Sequence, residues 1–210
     1  MSTERLRIAI PKGRLQTDVL DFFRNGGLEV PTSDELASRR LVFRKGGIEW
    51  IFVKDGDVPV YVGHGAADAG VAGLDQILEH EPDVYQPLEL PFGRCRIMLI
   101  RAPDAPPLER CPVIATKYPR LTRSYLRRRG LHNDVIALQG SVELAAVLNL
   151  SPWIVDLVET GGTARIHGLI LEEEIHAVSP RLLVNRNSDR LKRCAIADVL
   201  AAVGPQEVLR

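Results

Sequence analysis

The stretch DLVETGGTARIHGL, residues 156–169, places acidic residues directly before a Thr-Gly-Gly-Thr run. Glycines let the main chain approach a ligand closely, and successive N–H groups that enter a helical turn attract an anion. The candidate phosphate cradle consists of Thr160, Gly161, Gly162 and Thr163. Asp156 and Glu159 repel phosphate, but carboxylates beside a cradle accept hydrogen bonds from sugar hydroxyls. The pattern therefore predicts a ribose 5-phosphate site, and a tight left-handed turn with a threonine cap is the alternative.

A second candidate is the P-K-G-R-L run at residues 11–15, where a predicted strand turns into a helix. Open α/β sheets bind ligands at the carboxyl ends of their strands. At such a turn Lys12 offers phosphate a point charge and Arg14 offers a bidentate fork. The alternative is that both are solvated surface cations.

Lys117 and Tyr118 lie at another predicted strand-to-helix turn, from which they could reach a ligand in a cleft. The helix that follows has a basic face, formed by Arg120, Arg123 and Arg127 to Arg129. Only one aromatic residue, Tyr125, lies among these arginines. The pattern favours a solvated face or a subunit contact over nucleic-acid binding.

Other motifs predict no chemistry. The run GHGAAD at 63–68 fails the dinucleotide pattern, because Asp68 stands where the third glycine is needed and no strand leads into it. We interpret its small residues as close packing. The five histidines show no metal-ligand spacing, and no Ser/His/Asp arrangement is evident.

The elements that must position these residues alternate between strand and helix patterns, which indicates an α/β fold. The predicted strands include 7–10, 69–72, 97–100, 113–115, 135–138, 153–158 and 180–184, with a hairpin over 41–44 and 50–53. Predicted helices cover 119–129, 141–148 and, as one amphipathic helix, 189–203.

A proline-rich segment after residue 100 indicates a domain edge. We predict two α/β lobes, with residues 1–93 and 180–210 in domain I and 94–179 in domain II. The return to the first lobe near 178–185 is inferred from the strand count. The pattern alone also permits one continuous sheet.

Length, charge and cysteine usage set the broad class. The 210 residues carry no formal net charge, so no overall field draws the chain to nucleic acid or to an anionic membrane. The three cysteines are far apart in the sequence and form no C-x-x-C pair. This pattern is typical of free thiols in a reducing compartment. The N-terminus has no apolar segment typical of a signal peptide. A cytoplasmic protein without membrane contact is expected.

Seven stretches together resemble the short form of the ATP phosphoribosyltransferases. They occur in the family's order and cover most of the chain: IAIPKGRL (8–15), DVPVYVGHGAADAGVAGLD (57–75), LPFGRCR (90–96), ATKYPRLTRSYL (115–126), GSVELAAVLNL (140–150), DLVETGGTARIHGL (156–169) and RLLVNR (181–186). The chain ends soon after its last predicted helix, so we expect no C-terminal regulatory domain that binds histidine.

The resemblance implies two lobes like those of type II periplasmic binding proteins, with the active site in the cleft between them. It implies the transfer of the 5-phosphoribosyl group from phosphoribosyl diphosphate to N1 of ATP, with Mg²⁺, as the first step of histidine biosynthesis. It also implies a regulatory partner related to histidyl-tRNA synthetase, with a homodimer of this chain inside a hetero-oligomer.

The resemblance also implies roles for the candidate residues. Residues 160–163 would hold the 5-phosphate, Asp156 the ribose hydroxyls, with Glu143 sharing that task, and Glu159 would lie beside the same substrate. Lys12 and Arg14, with Mg²⁺, would neutralise the pyrophosphate. Further candidates for contacts to ATP or diphosphate are Lys54, Arg39, Arg40, Asp75, Lys117 and Tyr118. No residue ligand to a metal and no general base is predicted, because Mg²⁺ is expected mainly on substrate phosphates.

Two positions depart from the family's pattern: Asn149 replaces an expected glycine and Pro180 replaces a small residue. Three alternatives stay open. A two-lobed solute-binding protein would bind an anion without chemistry, a type I phosphoribosyltransferase would carry its T-G-G-T motif in one continuous sheet, and an inactive subunit would serve only as a scaffold.

Overall fold

The computed structural model describes residues 5–204, and the chain forms two compact units. Unit 1 comprises Met1–Gly93 and Ser179–Arg210, and unit 2 comprises Arg94–Val178. Ser179, which we expected in the second lobe, belongs to unit 1, because its carbonyl accepts a hydrogen bond from Leu74 N and its hydroxyl donates one to Glu89. Each unit has its own sheet, so the alternative of one continuous sheet is wrong.

The strands are β1 (Leu6–Lys12), β2 (Val42–Lys45), β3 (Ile48–Lys54), β4 (Ala69–Gly73), β5 (Val84–Glu89), β6 (Cys95–Arg101), β7 (Val113–Thr116), β8 (Asp134–Ala137), β9 (Trp153–Val158), β10 (Ile170–Val178) and β11 (Pro180–Asn185). The helices are α1 (Gln16–Asn25), α2 (Ser33–Leu36), α3 (Val58–Gly63), α4 (Leu74–His80), α5 (Pro119–Arg128), α6 (Glu143–Val147), α7 (Gly162–Ile166), α8 (Arg186–Leu191) and α9 (Arg193–Val203). None of the helices between residues 5 and 204 is long and apolar enough to cross a membrane.

The sheet of unit 1 has the order β2-β3-β1-β4-β11-β5. Strand β1 lies between β3 and β4 and is parallel to both, whereas β11 is antiparallel to β4 and β5. Side chains alternate between its two faces. On one face Ile8 and Ile10 pack with Phe23 of α1, and on the other Ala9 packs with Val58 and Val62 of α3. Helices therefore cover both faces, as a buried parallel sheet requires.

The sheet of unit 2 has the order β10-β6-β9-β7-β8. Strands β7, β8 and β9 run parallel, and β6 and β10 complete the sheet with antiparallel pairing. One face carries a core in which Ile154 and Val158 of β9 pack with Ala145 of α6 and Ala164 of α7. The other face carries α5, because Thr122 Oγ1 of α5 lies 3.2 Å from Thr116 Oγ1 of β7.

Strand β5 and the last predicted helix are among the elements that differ from the sequence-based expectation. Strand β5 was missed, since only its first residue, Val84, is buried and Pro87 interrupts the strand pattern. It is an edge strand, where proline is tolerated. The single helix predicted over 189–203 is two helices, α8 and α9, which are separated at Lys192.

The interruption at Lys192 coincides with a buried ion pair. Lys192 Nζ lies 2.8 Å from the carboxylate of Asp68, whose residue is 2% exposed. The same carboxylate accepts hydrogen bonds from Ser188 Oγ at 2.7 Å and from the main-chain N–H of Arg7 at 2.7 Å. Asp68 thus joins β1 to the C-terminal helices, which gives the run GHGAAD a structural role.

One arginine of the predicted basic face is engaged within unit 2. Arg129 donates hydrogen bonds to Tyr125 and forms an ion pair with Glu173 of β10. Partial burial raises the pKa of the Tyr125 hydroxyl, and its hydrogen bond to Glu173 adds to that shift. The hydrogen bond to Tyr125 and the ion pair with Glu173 raise the pKa of the Arg129 guanidinium. Arg129 therefore holds α5 against the sheet.

Candidate functional site

The carboxyl edge of the unit 1 sheet brings two predicted cations together. Lys12 and Lys54 are the last residues of β1 and β3, and their Cα atoms are register partners in this parallel pair. Both side chains are exposed. Gly13, directly after Lys12, has φ +100°, a backbone conformation that side-chain-bearing residues rarely adopt. The turn in P-K-G-R-L thus needs a glycine between its two cations.

Lys12 and Lys54 also mark a topological switch point. After β1 the chain goes to α1 on one face of the sheet, and after β3 it goes to α3 on the opposite face. Ligands of open α/β sheets bind in the crevice outside the strand ends where neighbouring connections diverge in this way. By its place in the sheet, Lys54 is therefore as good a candidate for anion binding as Lys12.

Three more predicted cations lie at this edge or close to it. Arg14 is exposed in the turn that opens α1. Arg39 and Arg40 are exposed and precede Leu41, whose carbonyl accepts a hydrogen bond from Phe52 N at 2.8 Å. Because Phe52 is two residues from the end of β3, both arginines lie on the Lys54 side of the sheet.

Asp75 lies at the same edge, but its side chain is not exposed. It stands in the first turn of α4, directly after β4, and is only 6% exposed. Gln76 Nε2 donates to its carboxylate at 2.9 Å. This burial argues against the predicted direct contact of Asp75 with ATP or diphosphate.

In unit 2 the carboxyl ends of three parallel strands lie at one edge. The strand β7 is followed by Lys117 and Tyr118, β8 by the segment that leads to Glu143 at the start of α6, and β9 by residues 159–163. Strand β7 continues into α5 on one face, whereas β9 continues into α7 on the other. The T-G-G-T run therefore also lies at a switch point.

The T-G-G-T run forms a tight turn between β9 and α7. Gly161 has φ +75° and caps α7, which begins at Gly162. A Cβ atom on Gly161 would lie 3.1 Å from Leu171 Cδ1, so the residue is closely packed as well as left-handed. Thr160 and Thr163 are exposed on either side. The turn leaves the two threonine hydroxyls at the surface of unit 2, whereas Gly161 is buried and Gly162 is half-buried.

Arg165 of α7 contacts this turn and was not among the predicted site residues. Its Nη2 donates to the carbonyl of Thr160 at 2.8 Å, and its Nε lies 3.4 Å from the carbonyl of Gly161. The available signal was spacing: a long cation four residues after Gly161 and five after Thr160 reaches back over one helical turn.

The carboxylates have unequal positions. Strand β9 ends at Val158, as predicted, so Asp156 lies on the sheet face rather than in the loop. It alternates with Ile154 and Val158, which pack against α6 and α7, and it is half-buried. Glu143 opens α6 on that same face and is also half-buried, whereas Glu159 is exposed.

The turn after β7 separates its two predicted ligands. Lys117 is exposed, whereas Tyr118 is 1% exposed and its side chain is part of the core. Thr116, which was not predicted, organises the turn: its hydroxyl donates to Val155 O at 2.8 Å and accepts from Tyr118 N at 2.9 Å. The sequence signal for this role of Thr116 was a threonine at the end of a buried strand.

The part of the chain from residue 5 to residue 204 contains no group of three His, Cys, Asp or Glu residues arranged to hold a metal ion. The residues at both edges are instead suited to anions: lysines, arginines, hydroxyls and a glycine turn.

Comparison with known proteins gives one consistent result. The model of the ATP phosphoribosyltransferase (HisG) family matches residues 54–204. The chain is 41% identical over 202 residues to an ATP phosphoribosyltransferase from Clostridium acetobutylicum, with 94% of each chain covered. It is 43% identical over 201 residues to the Thermococcus gammatolerans enzyme of that name, covering 94% of this chain and 96% of that one.

Two solved structures are similar to the chain. A chain of the ATP phosphoribosyl transferase (HisG:HisZ) complex from Thermotoga maritima has a TM-score of 0.82 and 36% sequence identity, with 97% of this chain and 98% of that chain covered. The VFT2 domain of Bordetella pertussis BvgS has a TM-score of 0.58 at 14% identity, covering 96% and 89% of the two chains. The second likeness shows the fold alone.

Proposed function

This chain belongs to the ATP phosphoribosyltransferase family, and from that membership we propose how its residues hold the two substrates. The enzyme is a pentosyltransferase that moves the 5-phosphoribosyl group from phosphoribosyl diphosphate to N1 of ATP. The products are phosphoribosyl-ATP and pyrophosphate, and the reaction is the first step of histidine biosynthesis.

We propose that the T-G-G-T turn binds the 5-phosphate of phosphoribosyl diphosphate. The observation that carries this proposal is the left-handed Gly161 at the carboxyl end of β9, with exposed hydroxyls of Thr160 and Thr163 beside it. A phosphate needs several donors that converge on one point, and main-chain N–H groups next to glycine can approach it closely.

Asp156 and Glu143 are proposed to bind the ribose hydroxyls. Both are half-buried on the face of the unit 2 sheet that carries α6 and α7. A carboxylate in that position accepts hydrogen bonds from hydroxyl groups, and partial burial strengthens such bonds. Glu159 is exposed next to the turn, and nothing in the geometry requires it to contact the sugar.

Lys12, Arg14 and Lys54 are proposed to neutralise the pyrophosphate as it leaves. In this transfer, positive charge develops on the sugar and negative charge on the leaving group, so positioning and electrostatics dominate over covalent chemistry. The paired lysines at the β1 and β3 ends supply fixed positive charge. Removal of one such preorganised group costs about 3 kcal/mol, or roughly 10²-fold in rate.

Magnesium is proposed as part of the substrate complex. When bound to phosphate oxygens, Mg²⁺ supplies further positive charge against the pyrophosphate. At the strand ends of unit 1, Lys12, Arg14 and Lys54 would lie near the metal. They would bind the phosphate oxygens that the metal does not contact.

The regulatory partner and the location also stay proposals. The Thermotoga maritima relative was solved as a HisG:HisZ complex. We propose that this chain likewise pairs with a subunit of that type, as a homodimer within a hetero-oligomer. A cytoplasmic location, expected from the cysteine pattern, is proposed with it.

The decisive experiment mixes the purified chain with ATP, phosphoribosyl diphosphate and Mg²⁺, and follows the absorbance of phosphoribosyl-ATP. Parallel reactions contain the proposed partner subunit or omit Mg²⁺. Product that depends on both substrates supports the proposal. If no product forms either with or without the partner, the proposed function is wrong. If product forms without any divalent metal, the role proposed for Mg²⁺ is wrong.

A further inference from the structure

The phosphate turn is fixed from behind by one side chain. Arg165 donates from Nη2 to the carbonyl of Thr160 at 2.8 Å, and its Nε lies 3.4 Å from the carbonyl of Gly161. The main-chain N–H of Arg165 also donates to the carbonyl of Gly161, at 3.2 Å. Both carbonyls that flank the left-handed glycine are therefore held by the same residue.

Holding these carbonyls fixes the N–H groups on the other side of the same peptide planes. Every peptide bond in residues 5–204 is trans, so the Thr160 carbonyl points opposite to the Gly161 N–H, and the Gly161 carbonyl opposite to the Gly162 N–H. Within the described part of the chain, neither glycine N–H donates to an acceptor. The two donors are directed away from Arg165.

We propose that Arg165 is a positioning residue for phosphoribosyl diphosphate. Its guanidinium orients the Gly161 and Gly162 N–H groups toward the 5-phosphate without contacting that phosphate itself. The inference rests on the proposed role of the T-G-G-T turn. A guanidinium suits this task because its donors form a rigid planar fork that spans two acceptors, whereas a lysine ammonium is a single point on a flexible stem.

The test compares Arg165→Gln and Arg165→Lys in the full-length enzyme with its partner. Both variants are expected to raise KM for phosphoribosyl diphosphate about tenfold, the effect of losing charge-assisted hydrogen bonds, while KM for ATP stays unchanged. Arg127→Gln, an exposed arginine on α5 of the same unit, is the matched control and is expected to leave both constants unchanged.

A second measurement does not depend on activity. ¹⁵N relaxation of the free chain reports the order parameters of the Gly161 and Gly162 amides, and both variants are expected to lower them. Arg165→Lys with wild-type KM would overturn the proposal, because charge alone would then suffice. Unchanged amide order parameters in Arg165→Gln would overturn it as well.

Thr163→Ala in the same assay separates this inference from the proposed function. If Thr163→Ala leaves KM for phosphoribosyl diphosphate unchanged, the turn does not bind the substrate and the proposed function of the turn falls. If Thr163→Ala raises KM and the Arg165 variants do not, only the positioning role falls.

Discussion

Lys12 and Lys54 occupy the last positions of two neighbouring parallel strands and are Cα register partners. Adjacent strands are roughly 5 Å apart, so two positive charges begin side by side. Without a ligand they repel each other, and an anion between them removes that repulsion. Both side chains are exposed, so the repulsion is largely screened by water and the pair is tolerated in the free protein.

Lys54→Gln is expected to reduce kcat about 10²-fold, as Lys12→Gln is, because each removes positive charge from the same proposed leaving-group site. Steady-state assays with saturating substrates measure the effect. Lys45→Gln is the matched control: Lys45 pairs with Ile48 at the opposite end of β3, so it should leave kcat unchanged. Equal rates for wild type and Lys54→Gln would remove Lys54 from the site.

Thr163→Ala is expected to raise KM for phosphoribosyl diphosphate about tenfold, because it deletes one hydroxyl of the proposed 5-phosphate site. KM for ATP should not change. Thr163→Ser keeps the hydroxyl and should stay close to wild type in initial-rate assays. If the serine variant lost as much as the alanine variant, shape rather than hydrogen bonding would explain the threonine.

Asp68→Asn is expected to lower the free energy of unfolding by about 3 kcal/mol, because Lys192 would be left without its buried counter-charge. Urea unfolding followed by circular dichroism measures the loss. Asp21→Asn, in an exposed ion pair with Arg24 on α1, should cost about 0–1 kcal/mol. Similar losses at both positions would contradict the role given to Asp68.

Asn149 has φ +57°, the left-handed conformation that glycine adopts without strain. Asn149→Gly is therefore expected to raise stability by about 0.5 kcal/mol, and Asn149→Ala to lower it by about 1 kcal/mol. Thermal unfolding of the two variants should shift in opposite directions. An alanine variant as stable as wild type would show that backbone strain at this position is negligible.

Much of the fold could be predicted because its signals are local. The hairpin around Gly46 and Gly47 and the alternation of strands and helices follow from apolar periodicity and turn residues. The return of β11 to the first sheet was inferred from the strand count, because the pattern alone also permitted one continuous sheet. Asn149 looked like a departure from the family's pattern. Its left-handed φ shows that asparagine, which tolerates this conformation better than most residues, fills a position that favours glycine.

What could not be predicted depends on contacts between distant residues. Strand β5 gains its place only by pairing with β11, and Lys192 interrupts the last helix as its ammonium reaches Asp68. Tyr118 and Asp75 stand at strand ends, as site residues do, yet tertiary packing buries both. The roles of all the site residues stay predictions, since they concern substrates rather than the folded chain.

The position of β11 has a consequence for synthesis on the ribosome. Among the strands between residues 5 and 204, β5 pairs only with β11, and β11 follows the whole of unit 2 in the sequence. During translation β5 must therefore wait, without a partner, until Pro180–Asn185 has left the exit tunnel. During that time, the proline and the polar residues of β5 make the unpaired segment a poor template for pairing with a neighbouring nascent chain.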